Sequence, residues 1–216
     1  MLVSFANQAF AHGVTLGDQG YIQEITGVNI LPFMYLGAKH MISGYDHLLF
    51  LFAVIFFVYR PSHISLYVSL FALGHSSTLI IGVYFNIQAN AFLVDAIIGL
   101  SIVYKALDNL NAFKRWFNYQ LNTKVMTLIF GLFHGFGLAT KIQDFDMSAD
   151  GLLPNLIAFN IGVEIGQILA LSFILIGVTY WRRFPSFMRQ AYTANVMIMS
   201  AGFLLMFYQL SALALS

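Results

Sequence analysis

The stretch PNLIAFNIGVEIGQILALSFILIGVTYW, residues 154–181, decides the fold class. A bilayer crossing takes about 20 apolar residues, with a range of roughly 17–25. This run meets that length with one charged side chain, Glu164. It is continuous and lacks the period-two alternation of a membrane barrel strand. Five further apolar runs share its character: Tyr45–Tyr59, His63–Phe85, Ala91–Leu107, Lys124–Thr140 and Gln190–Leu213. The chain therefore reads as all-α, a polytopic membrane helix bundle with six transmembrane helices. Ahead of them, Ile30–Ser43 is apolar but short and contains Lys39 and His40. It is expected as an interfacial or re-entrant helix. Pro61, Pro154 and Pro185 fall at or just outside helix ends, where proline is tolerated.

Composition agrees. Of 216 residues, 59% are hydrophobic and 9% charged, whereas a soluble domain carries about 25% charged residues. The surrounding medium is then the lipid bilayer. A net charge of +1 and no basic run argue against nucleic acid as a partner. Cysteine is absent, which removes disulfides, thiolate metal sites and cysteine catalysis together. Residues 30–213 form a single transmembrane domain and residues 12–29 an exported segment. Residues 1–11 resemble an export signal or its remnant, with Ala9-Phe10-Ala11 as a small-x-small cleavage pattern and His12 as the first mature residue. A disordered tail is the equal alternative there.

Lysine and arginine set the orientation. One set of connections carries Arg60, Lys105, Lys114, Arg115, Lys124, Arg182, Arg183 and Arg189, and the opposite set only Lys39 and Lys141. The basic side is expected to be cytoplasmic, in a bacterial inner membrane, with both termini outside. Asp144, Asp146 and Asp150 then fall in the outer loop between the fourth and fifth crossings.

The ionisable residues within this apolar frame are few. Asp46 and His47 open the first crossing, with His40 just before it. His75, Asp95, His134 and Glu164 lie in the second to fifth. A carboxylate at the bilayer centre costs about 2.5–3.5 kcal/mol on insertion scales, so each needs a partner or a use. At about 1.5 Å per residue, Asp95 and His47 fall within a turn of the outer boundary, His134 and Glu164 deeper, and His75 near the midplane. Five helices thus present polar groups to the outer half of the bundle.

On the fifth helix, Asn160, Glu164 and Gln167 are spaced i, i+4, i+7 and share a face, with Gly162 and Gly166 opposite for close helix approach. Gly131, Gly135 and Gly137 flank His134 and let neighbouring backbone come near. Ser76, Ser77 and Thr78 follow His75 and offer hydroxyls to orient it. Imidazole nitrogen with carboxylate oxygen suits a divalent transition metal: nickel, cobalt, zinc, iron or manganese. The structural alternative is a histidine that only packs and bonds a carbonyl. It serves as well as ligation for one residue and far less well for the set. His12 and His63 lie at boundaries and read as solvated. Asp108 is expected near Lys105 at the cytoplasmic interface.

Four motifs in order carry a resemblance. Residues 37–51, GAKHMISGYDHLLFL, resemble the GxxHxxxGxDHxxFL opening of the HupE/UreJ family. Residues 73–79, LGHSSTL, are similar to its GHSxTL motif, residues 130–139, FGLFHGFGLA, to FGLxHGxGFA, and residues 159–167, FNIGVEIGQ, to FNxGVExGQ. Asp95 stands where the family's third-helix motif usually has Glu, which keeps the carboxylate and shortens its reach. The resemblance covers residues 30 to 213. It implies an accessory protein of nickel metabolism, associated with hydrogenase and urease, that acts as a nickel or cobalt permease. A homo-oligomer and a metallochaperone partner both stay open.

Three readings follow. The first is a permease for a divalent transition metal, nickel foremost, with His40, Asp46, His47, His75, Asp95, His134 and Glu164 at the metal and Asn160 and Gln167 in support. The second is a membrane metalloenzyme, a hydrolase or oxygenase, with a closed centre near the periplasmic face. The third is a structural factor whose polar cluster pins the bundle. Transport needs an exit, and the inner half offers only groups such as Ser69, Tyr104, Asn109, Thr127 and Asn195.

Overall fold

A computed structural model describes residues 26–143 and 150–216. The expected export signal at residues 1–11, His12, and the loop residues Asp144 and Asp146 lie outside them. Among the described residues every regular element is a helix: α1 Ile30–Ser43, α2 Tyr45–Ile55, α3 Pro61–Tyr84, α4 Ala91–Asn109, α5 Ala112–Phe117, α6 Thr123–Ile142, α7 Leu152–Trp181 and α8 Phe187–Leu215. Four are long and apolar enough to cross a membrane: α3 (from Ser62), α6, α7 and α8. Helix α4 has the length but differs from these four in carrying three charged residues, Asp95, Lys105 and Asp108. Asn90 and Asn122 cap α4 and α6 by accepting from the amides of Leu93 (3.1 Å) and Lys124 (2.9 Å). Pro61 sits at the first position of α3, where its missing N–H costs nothing.

The short helix at Ile30–Ser43 forms as expected, but it does not stand apart from the helix that follows. Helix α1 runs parallel to the first half of α7. Gly162 lies against the Met34 carbonyl, Gly37 against that of Phe159, and a Cβ on Gly166 would come 2.7 Å from the Ala38 oxygen. Asn155 holds the start of α1, accepting from the Asn29 amide (2.7 Å) and donating to the Gly27 carbonyl (2.9 Å). The chain then breaks at Gly44 and continues inward as α2, whose end meets the end of α7. There Arg182 donates to the carbonyls of Ile55 (3.0 Å), Phe56 (2.6 Å) and Val58 (3.0 Å), groups a helix terminus leaves without partners. So α1 and α2 together run alongside α7 from one end of the bundle to the other.

The remaining directions follow from the contacts. Helices α3 and α6 are parallel and close, with Gly74 against the Leu128 carbonyl, Gly131 against Phe71 and Gly135 against the His75 carbonyl. Helix α4 opposes α6, pairing Asp95 with Lys141 and Ser101 with His134. It also opposes α8, with Gly99 against Met206 and Asn109 bonded to Asn195. Consequently α1 begins and α8 ends at the same end of the bundle. The core between them is packed with Phe50, Phe56, Phe71, Leu51, Ile55, Leu79, Ile98, Ile102 and Leu138, all essentially inaccessible.

Candidate metal centre

Gly44 sets the geometry of the centre. It places His40 on the last turn of α1 and Asp46 and His47 on the first turn of α2, facing each other across the break. His47 is the hub. Its ring centroid lies 5.0 Å from that of His40, 5.6 Å from His75 and 4.9 Å from His134. His47, His75 and His134 are fully buried, and His40 and Asp46 nearly so. Two sets of ligand atoms lie within 4.8 Å of one another: His40, His47 and His75, and Asp46, His47 and His134. Each is compact enough for one cation, and they share His47.

The neighbours orient these rings. Asp46 Oδ1 lies 3.0 Å from His47 Nδ1 and accepts from the His47 amide at 2.9 Å. With Nδ1–H donated to the carboxylate, Nε2 is the His47 nitrogen that can ligate. Ser101 Oγ lies 3.3 Å from His134 Nε2 and donates to the Ile98 carbonyl at 2.6 Å. Its proton is thus committed, and it can accept from that imidazole. His75 differs: neither ring nitrogen has a hydrogen-bond partner among the described residues. A buried polar side chain is normally hydrogen-bonded, and a His75 nitrogen lies within 4.8 Å of ligand atoms of His40 and His47, a spacing that suits a cation. Phe50 and Phe71 pack on His134 and keep the site dry.

The structure brings five of the seven sequence-derived ligands together: His40, Asp46, His47, His75 and His134. It moves His47 away from the end of the bundle, because α1 precedes it along α7 and the break at Gly44 lies between buried side chains. Asp95 stands outward of the cluster, where Lys141 Nζ donates to its Oδ2 at 2.7 Å. Lys141 is therefore a buried partner rather than a loop charge, and Lys105 likewise pairs with Asp108 at 2.6 Å within α4. Glu164 does not join the imidazoles. Its side chain is exposed in a groove between α3 and α7. Asn160 and Gln167 are buried beside that groove.

The hydroxyls after His75 do not orient it. Ser77 donates to the Leu73 carbonyl, and Thr78 to those of Gly74 and Leu132. Sequence reasoning missed Ser101 and the Asp95–Lys141 pair. A lysine inside an apolar run, opposite an aspartate on the neighbouring crossing, is the signal that could have found the pair.

A protein-family profile described as HupE / UreJ protein matches residues 16–215. The chain belongs to the HupE/UreJ family. No curated protein and no solved structure gives a significant match.

Proposed function

We propose that this HupE/UreJ protein takes up a divalent transition metal, nickel foremost and cobalt as the second cargo, through a bacterial inner membrane. The observation that carries the reading is His75: an inaccessible imidazole with two unpartnered nitrogens, within reach of His40 and His47. The cation is substrate here. His47 and His75 bind it, Asp46 orients His47 and balances charge, and His40 and His134 complete alternative ligand sets around the same hub. Asp95, tied to Lys141, acts at the outer approach.

In this reading the bundle makes six crossings, α1 with α2 as one and then α3, α4, α6, α7 and α8, with both termini periplasmic. The charge distribution supports it. With Lys105 and Lys141 taken as buried partners and Lys39 placed within α1, the connections carry seven basic residues at one end and none at the other.

The test is uptake. A cell lacking its own nickel transport should accumulate radioactive nickel when it makes this chain. His47→Ala should abolish that gain, and His63→Ala, at an exposed position, should keep it. One observation favours the metalloenzyme reading: the ligand sets are fully enclosed, as for a retained ion. Absence of accumulation of nickel, cobalt, zinc, iron and manganese, with metal still bound to the purified protein, would give that reading precedence.

A further inference from the structure

In the inner half, Asn109 donates to the Ala53 carbonyl (2.8 Å) and to Asn195 (2.9 Å) and so ties α4 to α2 and α8, while Thr127 donates to the Thr123 carbonyl (2.7 Å) within α6. The groove between α3 and α7 differs. It has a volume of about 420 Å³ and is lined by Ser69, Ser76, Glu164 and Gln167 among apolar residues.

Along one face of α7, three residues carry oxygen acceptors that have no donor among the described residues. The Asn160 NH2 donates to the Leu156 carbonyl (2.9 Å) and the Gln167 NH2 to the Val68 carbonyl (3.4 Å). These bonds fix which end of each amide is the oxygen. Asn160 Oδ1 and Gln167 Oε1 are both buried and unpartnered. Gln167 is fully inaccessible yet lines the groove. Between them, Glu164 makes no hydrogen bond or ion pair with the described residues. An ionised carboxylate so placed in a membrane helix is costly without a counter-ion.

The register connects this run to the histidines. Helices α3 and α7 are antiparallel and Gln167 meets Val68, so Asn160 stands level with His75. Glu164 and Gln167 follow one and two turns further toward the basic end, about 10 Å in all at about 1.5 Å per residue.

We propose that Asn160, Glu164 and Gln167 continue the path of the cation from His75, and that Glu164 with Gln167 and the groove hydroxyls forms a second, weaker site for a divalent metal. This rests on the reading that the histidine cluster binds such a metal. An all-oxygen set with one carboxylate holds a first-row ion less tightly than imidazoles do. A station that receives an ion and lets it leave needs that difference.

The experiment is equilibrium binding of nickel and of manganese to the purified full chain in detergent. Two classes of site are expected, with manganese favouring the weaker. Glu164→Gln and Gln167→Leu should each lose the weak class and keep the tight one, which also shows that the variant is folded. His47→Ala, which touches both histidine sets, should lose the tight class and keep the weak one. A single class in the parent protein, or a weak class unchanged by Glu164→Gln, overturns the proposal. So does a Glu164→Gln variant that keeps both classes but changes oligomeric state, since the groove is then a contact with a second copy. If the tight class survives His75→Ala and His47→Ala while Glu164→Gln still removes the weak one, the cluster reading fails and the oxygen site stands.

Discussion

Asp46 acts at the metal centre largely through His47. Its carboxylate fixes that ring's tautomer and direction, and outer partners of metal-ligating histidines are worth about 10–100-fold in affinity. Asp46→Asn should therefore weaken nickel binding by about that factor while the protein stays folded, read by metal content after dialysis against graded chelator. His47→Ala should abolish tight binding, because the residue belongs to both ligand sets. The histidines are legible in the sequence because ionisable residues are rare in apolar helices. The place of Glu164 is not, since its i, i+4, i+7 spacing with Asn160 and Gln167 defines a face without saying what that face meets.

At the scale of helices, glycine spacing is a sound guide. Gly162 and Gly166 mark a surface for close approach, and α1 occupies it. A methyl group at Gly162 would collide with the Met34 backbone, which cannot swing aside as a side chain would. Gly162→Ala should cost about 1–3 kcal/mol and loosen His40, lowering both the melting temperature and the metal content. Gly177 on the same helix is open, with nothing within 4 Å of the place a Cβ would take. Gly177→Ala should leave stability within about 1 kcal/mol of the parent, since only helix propensity changes. A thermal-shift comparison of the two variants checks both. The union of α1 and α2 into one run is not legible in the sequence. Lys39, His40 and Gly44 break the hydropathy signal, and the contacts at both ends of α7 show that the chain continues past the break in the same sense.

Across the whole molecule, the sense of insertion is open to direct labelling, since the native chain has no cysteine. Cysteines introduced at Tyr119 and Ser186, at the basic end, should be protected from an impermeant thiol reagent in intact cells. One at Asn90, at the opposite end, should react. The reverse pattern would overturn the orientation and place the Asp95–Lys141 pair on the cytoplasmic side. The helical class and the family are readable from hydropathy and four motifs. The nearness of Asp108 to Lys105 is readable too, but the Asp95–Lys141 pair is not, because Lys141 looks like a loop charge until its aspartate is found on the neighbouring helix.

Because α1 stops at Ser43 and α2 starts at Tyr45, two helix termini meet inside the bundle instead of at its surface. Aligned peptide dipoles leave roughly half an elementary charge at each terminus, negative at the carbonyl end and positive at the amide end. The carbonyl end of α1 holds His40, so its fixed negative potential favours a cation there. The amide end of α2 holds Asp46, whose Oδ1 already accepts from the His47 amide, so its positive potential favours the ionised carboxylate. An unbroken helix would cancel both potentials along its interior. The interruption thus gives a dry, nearly uncharged bundle a pair of permanent opposite poles, set by backbone direction and indifferent to pH.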